Sequence, residues 1–102
     1  MVKQVGIQPV SSQIPKEYNL YQNYPNPFNP VTKIKFDIAN AGNVQMKVFD
    51  VLGRETAILV NEILKPGTYE VGLNASNYSS GVYYYRMQIA VYTVTKKMIL
   101  LK

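Results

Sequence analysis

Hydrophobic and polar side chains alternate along most of the chain from residue 18 onward. The alternation is unbroken over residues 32–38, where Ile34, Phe36 and Ile38 are separated by charged side chains. A period of two puts successive side chains on opposite faces of a strand, and no window of eleven residues shows a helical period. We therefore predict an all-β chain.

Seven strands fit this pattern, with turns between them at intervals typical of a seven-stranded antiparallel immunoglobulin-like β-sandwich. The predicted strands span residues 17–22, 32–38, 44–51, 55–62, 68–73, 82–89 and 92–101. In the fourth, the run AILV would suit a buried helical turn equally well. The side chains predicted to fill the core between the sheets are Ile34, Phe36, Val48, Tyr69, Val71, Tyr83 and Tyr85.

The chain divides into a short leading segment and a folded domain. Residues 1–16 are predicted to be a flexible linker or an expression remnant, because prolines and small polar residues interrupt any regular period there. Residues 17–102 are predicted to be the domain. A spacer followed by a domain is the layout expected of the tail of a longer protein.

A proline-rich segment, residues 23–30, separates the first two predicted strands. Pro25, Pro27 and Pro30 have no amide hydrogen to donate to a strand ladder, so we predict an extended loop. Phe28 is expected to pack against the core as the anchor of this loop.

Composition argues against catalysis. The 102 residues include no cysteine, no histidine and six carboxylates, so disulfides, thiolate metal sites and histidine bases are excluded. Asp50 and Glu55 flank a turn, but a sandwich of this size has no obvious cleft for a glycosidase pair, and Asp50 is better explained as a turn cap. Residues 74–77 offer amides and hydroxyls to calcium but no carboxylate. We expect no enzyme and no cofactor.

The formal net charge is +5 and the sequence pI is about 9.5. The lysines do not form one run and are scattered mostly as single residues, which favours solvated strand faces over a nucleic-acid partner. No apolar run is long enough to predict a membrane span, and the first residues do not resemble a signal peptide.

Four tyrosines could stack on sugars outside the core or shield the sheets instead. They are Tyr21, Tyr24, Tyr84 and Tyr92.

Five short motifs, in this order, resemble the C-terminal sorting domains (type A) of the type IX (Por) secretion system. They are LYQNYPNPFNP at 20–30, VFDVLGRE at 48–55, PGTY at 66–69, SGVY at 80–83 and KKM at 96–98. The resemblance covers residues 18–102. A similar pattern occurs in the immunoglobulin-like domain of flagellar hook-capping proteins, and the resemblance therefore implies an immunoglobulin-like fold.

The resemblance implies a non-catalytic secretion label in a Bacteroidetes-like bacterium. An outer-membrane translocon would read the domain, a sortase-like peptidase would cut before it, and the cargo would be secreted or attached to the cell surface. The chain contains no cargo domain and no export signal, so we expect it to be part of a longer protein. The implied recognition residues are Pro25, Asn26, Pro27, Phe28, Asp50, Gly53, Arg54, Gly67, Tyr69, Gly81, Tyr83, Lys96 and Lys97.

A second hypothesis from a different class stays open: a structural or adhesive immunoglobulin-like module of a cell-surface protein, with sugar binding as one activity. The last predicted strand bears on both hypotheses. If it lies at a sheet edge, its free backbone groups could pair with a receptor strand, whereas Lys96 and Lys97 could instead be charges that protect the edge. Export of a fused reporter would separate the two hypotheses.

Overall fold

The computed structural model describes residues 6–11 and 13–102, which form two four-stranded antiparallel sheets packed face to face. The first sheet has the strand order β1-β6-β3-β2 and the second the order β5-β4-β7-β8. The predicted all-β class is confirmed. The strands are β1 (Gln8–Ser11), β2 (Asn19–Leu20), β3 (Val31–Ile38), β4 (Gly42–Phe49), β5 (Glu55–Leu64), β6 (Gly67–Asn74), β7 (Gly81–Ile89) and β8 (Tyr92–Leu100).

The predicted count of seven strands is wrong, because β1 adds an eighth inside the segment 1–16. All four of its side chains are exposed. It is held by backbone pairing to β6, with Gln8 opposite Glu70 and Pro9 opposite Tyr69. A strand that buries no side chain leaves no alternation in the sequence. Residues 1–5 and Ser12 lie outside the described residues, and the predicted boundary at residue 16 stays a prediction.

The core lies between the two sheets and contains the predicted side chains, with one exception. Ile34, Phe36 and Tyr85 are fully buried. Tyr69 is only half-buried: its ring stacks on Phe36 with the ring centroids 5.7 Å apart, and its hydroxyl donates to the carbonyl of Lys65 at 2.7 Å. The carbonyl of Lys65 lies in an exposed turn, and the ring that reaches it lies at the margin of the core rather than inside it.

The ambiguous run AILV belongs to a strand. Pairing of β4 with β5 shifts register, because Met46 faces Val60 while the next residue, Lys47, faces Ile58. The skipped residue, Leu59, is therefore bulged, and Leu59 and Val60 are both buried. The bulge removes the period of two locally, which is why the sequence pattern alone did not separate a strand from a helical turn.

One buried carboxylate holds the short strand β2 against β3. Asp37 is 6% exposed and accepts hydrogen bonds from Asn19 Nδ2 at 3.1 Å, Tyr21 Oη at 2.5 Å and Thr68 Oγ1 at 2.7 Å. Burial by itself would raise the pKa of Asp37, but these three hydrogen bonds and the charge of Lys35 lower it below the usual value for the group. The carboxylate therefore stays ionised and joins three segments of the first sheet.

Candidate functional site

The proline-rich loop closes on the end of β8. Phe28 is 2% exposed, which confirms the predicted anchor. Its amide donates to the carbonyl of Ile99 at 2.9 Å, and the amide of Leu101 donates to its carbonyl at 3.0 Å. The side-chain oxygen of Asn26 accepts from the amide of Ile99 at 3.0 Å. The first sequence motif and the residues that directly follow the last motif thus form one hydrogen-bonded unit, which we call the clasp (residues 23–30 with 98–101).

The inner end of the clasp is fixed by a tyrosine of the second sheet. Tyr85 Oη accepts from the amide of Asn23 at 2.8 Å and donates to the carbonyl of Tyr21 at 2.7 Å. Asn23 is itself buried, and its side-chain nitrogen donates to Thr32 Oγ1 at 3.0 Å. Burial raises the pKa of Tyr85 to about 12, so its hydroxyl remains protonated at physiological pH. Tyr85 was predicted to lie in the core, but the role of its hydroxyl was not predicted. The available signal was that the sequence has a tyrosine at a core position that a phenylalanine would fill equally well.

Asp50, Gly53 and Arg54 meet in one turn, and Asp50 caps it as predicted. Its Oδ1 accepts from the amides of Leu52 and Arg54, both at 2.9 Å, and its Oδ2 accepts from Arg54 Nε at 2.7 Å. These bonds, with the backbone amide of Arg54 as the first cause, lower the pKa of Asp50. Gly53 adopts a φ of +82°, which disfavours any residue with a Cβ.

Neither carboxylate near this turn is arranged for catalysis. Glu55 reaches back to Lys47 at 3.3 Å, while Asp50 is held by Arg54. The predicted strand 44–51 has the right length but is displaced by two residues, because β4 runs from Gly42 to Phe49. Val51 therefore lies in the turn with its side chain in solvent rather than on a strand face.

Two Gly-x-Tyr motifs begin β6 and β7 and stabilise the turns before them. Tyr83 Oη donates to the carbonyl of Ser79 at 2.7 Å, just as Tyr69 Oη donates to the carbonyl of Lys65. In each case the phenol reaches back four residues and ties the strand to its own turn. Gly67 and Gly81 are the first residues of these strands. Gly67, Tyr69, Gly81 and Tyr83 therefore contribute to the folding of the domain itself.

Lys96 and Lys97 do not form one basic patch. Lys96 lies opposite Tyr85, on the inner side of the second sheet, and Lys97 lies opposite Tyr84, on the outer side. The strand β8 is an edge strand of the second sheet, so the condition set for pairing with a receptor strand is met. However, Gln22 Nε2 donates to the carbonyl of Lys97 at 2.7 Å, and the clasp covers the edge beyond it. The edge that a receptor strand could reach is thus shorter than the whole of β8.

The clefts on the described surface include two on the outer faces of the sheets. One, of about 280 Å³, lies beside the Asp50 turn and is lined by Phe49, Asp50, Val51, Gly53, Tyr84, Arg86 and Thr95. The other, of about 380 Å³, lies over the first sheet and is lined by Tyr21, Gln22, Tyr24, Lys33, Lys35 and Glu70.

Only part of the tyrosine set considered for sugar stacking presents a free ring. Tyr24 is 81% exposed. The ammonium of Lys35 lies 4.8 Å from the ring centre of Tyr21, and Tyr92 packs on Tyr18 with the centroids 5.6 Å apart.

Among the residues that the structure describes, no three acidic, histidine or cysteine side chains gather where a metal could bind. None of the described residues belongs to a helix able to cross a membrane.

Comparison with known proteins gives a match to one family model, described as a secretion system C-terminal sorting domain, over residues 22–101. A search of curated proteins finds no match. The matched region contains the clasp, the Asp50 turn, both Gly-x-Tyr motifs and the two lysines of β8.

Proposed function

The chain belongs to the family of secretion system C-terminal sorting domains, and from this membership we propose how it is recognised. It is a sorting signal of the type IX secretion system, and it directs secretion across the outer membrane. We propose that it acts as a non-catalytic label: an outer-membrane translocon binds the folded domain, a sortase-like peptidase cuts before it, and the cargo stays on the cell surface or is released.

The chemistry of the carboxylates supports a label rather than an enzyme. Asp37 and Asp50 are engaged as acceptors within the fold, and Glu55 and Glu70 form ion pairs with lysines at 3.3 and 3.6 Å. A general acid or base must instead be free to reach a substrate proton. These four carboxylates serve the fold.

The clasp is the observation that best supports recognition of the folded domain. Phe28 and Ile99 are far apart along the chain, yet they share a hydrogen bond. A receptor that contacts the exposed prolines of the loop also meets the end of β8. Unfolding would separate the two, so a linear peptide from either motif would not reproduce the surface. Pro25, Asn26 and Pro27 are exposed and are the proposed contact residues of this region.

A reporter fusion tests the proposal. The full 102-residue chain is fused to the C-terminus of a periplasm-targeted fluorescent protein and expressed in a type IX-competent bacterium. We expect the reporter outside the outer membrane in the parent strain and in the periplasm of a strain that lacks the translocon. In a strain that lacks the peptidase, the exported reporter should keep the domain attached. Retention in the parent strain would overturn the proposal in favour of a structural or adhesive module.

A further inference from the structure

The Asp50 turn presents two apolar side chains that the domain itself does not use. Val51 and Leu52 are 68% and 72% exposed. The backbone that carries them is held by the three side-chain bonds of Asp50 and by two backbone bonds, Asp50 N to Arg54 O and Gly53 N to Asp50 O, each 2.9 Å. A binding partner would therefore order little of this turn, which lowers the entropic cost of association.

The cleft beside the turn combines aromatic surface with a positive charge. Phe49 lies opposite Tyr84 across the β4–β7 pair. The guanidinium of Arg86 lies 4.7 Å from the ring centre of Phe49, and Thr95 of β8 forms the far wall. Aromatic and arginine side chains of this kind are enriched at the energetic centres of protein interfaces.

The charges on this face leave two cations, Arg86 and Lys97, without a carboxylate among the described residues. Asp50 is paired with Arg54 and Glu55 with Lys47. Arg86 forms no ion pair within residues 6–11 and 13–102, and Lys97, opposite Tyr84, adds a further positive charge. The potential over the cleft is therefore positive, and it favours an acidic group on whatever binds there.

We propose that Val51, Leu52 and this cleft form a docking surface for a protein of the export machinery, which receives Leu52 in an apolar pocket and pairs a carboxylate with Arg86. The inference rests on the proposed function for the identity of the partner. A second copy of the chain that binds through the same surface fits less well. Arg86 would then need a carboxylate from the turn of the other copy, where Asp50 and Glu55 are already paired. A sugar would find no hydrogen-bonding group on the two aliphatic side chains.

The test uses the full-chain reporter fusion with matched variants. Val51→Ser with Leu52→Ser removes the apolar tip. Ile63→Ser with Val91→Ser is the control, because these side chains are 74% and 100% exposed and lie on other turns and edges. Both pairs should keep the wild-type melting temperature. We expect export to fall at least tenfold for the first pair, which corresponds to a loss of about 1.4 kcal/mol in binding free energy. Export of the control pair should stay at the wild-type level.

The charge is tested separately. Arg86→Glu should lower export at least about tenfold, whereas Lys65→Glu, which makes the same change in net charge at an exposed site elsewhere, should not. Arg86→Lys keeps the cation and should retain most of the export, which separates the charge from the packing of Arg86 on Phe49.

Each outcome bears on a different statement. If the wild-type fusion is not exported, the sorting function itself fails. If the wild type is exported and the Val51/Leu52 pair is exported equally well, the docking surface is overturned. If the isolated domain dimerises and the same pair separates the dimer, the surface is a self-contact, and the assignment to the export machinery is wrong.

Discussion

The hydroxyl of Tyr85 accepts a 2.8 Å hydrogen bond from the amide of Asn23, which lies 62 positions earlier in the chain. The same hydroxyl donates to the carbonyl of Tyr21 at 2.7 Å. A single phenol at the centre of the second sheet thus satisfies two backbone groups where β2 gives way to the proline-rich loop. The motif loop is held from inside the core as well as from the edge of β8.

Replacing Tyr85 by phenylalanine should destabilise the domain by about 1–3 kcal/mol, because the buried amide of Asn23 and the partly buried carbonyl of Tyr21 lose their partner while the packing volume is kept. Urea unfolding followed by circular dichroism measures the change. Tyr84→Phe is the control, since the Tyr84 hydroxyl faces the outer side of the sheet and makes no hydrogen bond within the described chain. Equal stability of the two variants would contradict the proposed role of the Tyr85 hydroxyl.

Phe28→Ala should cost about 3–5 kcal/mol, the usual range for removing a buried phenylalanine, and should open the clasp. Hydrogen exchange reports the second effect: the amide of Leu101, which donates to the carbonyl of Phe28, should lose its protection. Tyr24→Ala, in the same loop but at an 81% exposed position, should leave both quantities close to the wild type. Protection of Leu101 that survives Phe28→Ala would show that the end of β8 is held by other contacts.

Asp37 should make the domain sensitive to acid. Its pKa in the folded state lies below the ordinary value of 3.8, so its contribution is present above that value and is lost as the pH falls through the folded pKa. The free energy of unfolding should therefore decrease between about pH 5 and pH 2, and less steeply in Asp37→Asn. Chemical denaturation at several pH values measures both slopes. Parallel slopes for the two proteins would place the acid sensitivity elsewhere.

Lys96→Gln and Lys97→Gln should each change stability by no more than about 0.5 kcal/mol, as is usual for surface substitutions. Their effects on export should differ, because only Lys97 lies on the outer face beside Tyr84. We expect reduced export of the reporter for Lys97→Gln and normal export for Lys96→Gln. An equal loss for both variants would indicate a receptor that approaches along the edge of β8 instead of its outer face.

The sequence predicted those parts of the fold in which burial alternates with position. Ile34, Phe36 and Ile38 are all fully buried, as their spacing required, and Phe28 packs where an isolated aromatic among prolines suggested. The capping role of Asp50 also followed from local chemistry, because an aspartate before a Leu-Gly pair accepts turn amides.

Features that depend on backbone pairing or on register were missed. The strand β1 buries no side chain, so nothing in its composition marks it. A strand was predicted over residues 55–62 and β5 is one, but the bulge at Leu59 was missed, and it breaks the period that would have excluded a helical turn. The placement of Lys96 and Lys97 on opposite faces follows from the alternation of β8, but the sequence analysis treated the two lysines together. The exposure of Val51 in the turn was not predicted, because Val51 continues the alternation of β4 beyond the last residue of the strand.

The clasp also makes the label dependent on the backbone of residues 99–101. The carbonyl that receives the amide of Phe28 belongs to Ile99, and the amide that completes the bridge belongs to Leu101. A chain that a protease cuts ahead of Ile99 leaves the proline-rich loop without these partners, although residues 92–98 can still pair with β7. Such a chain keeps most of the motif residues but loses the surface on which the first motif is presented. We therefore expect cleavage at this point to inactivate the label without any change in the Asp50 turn or in the cargo.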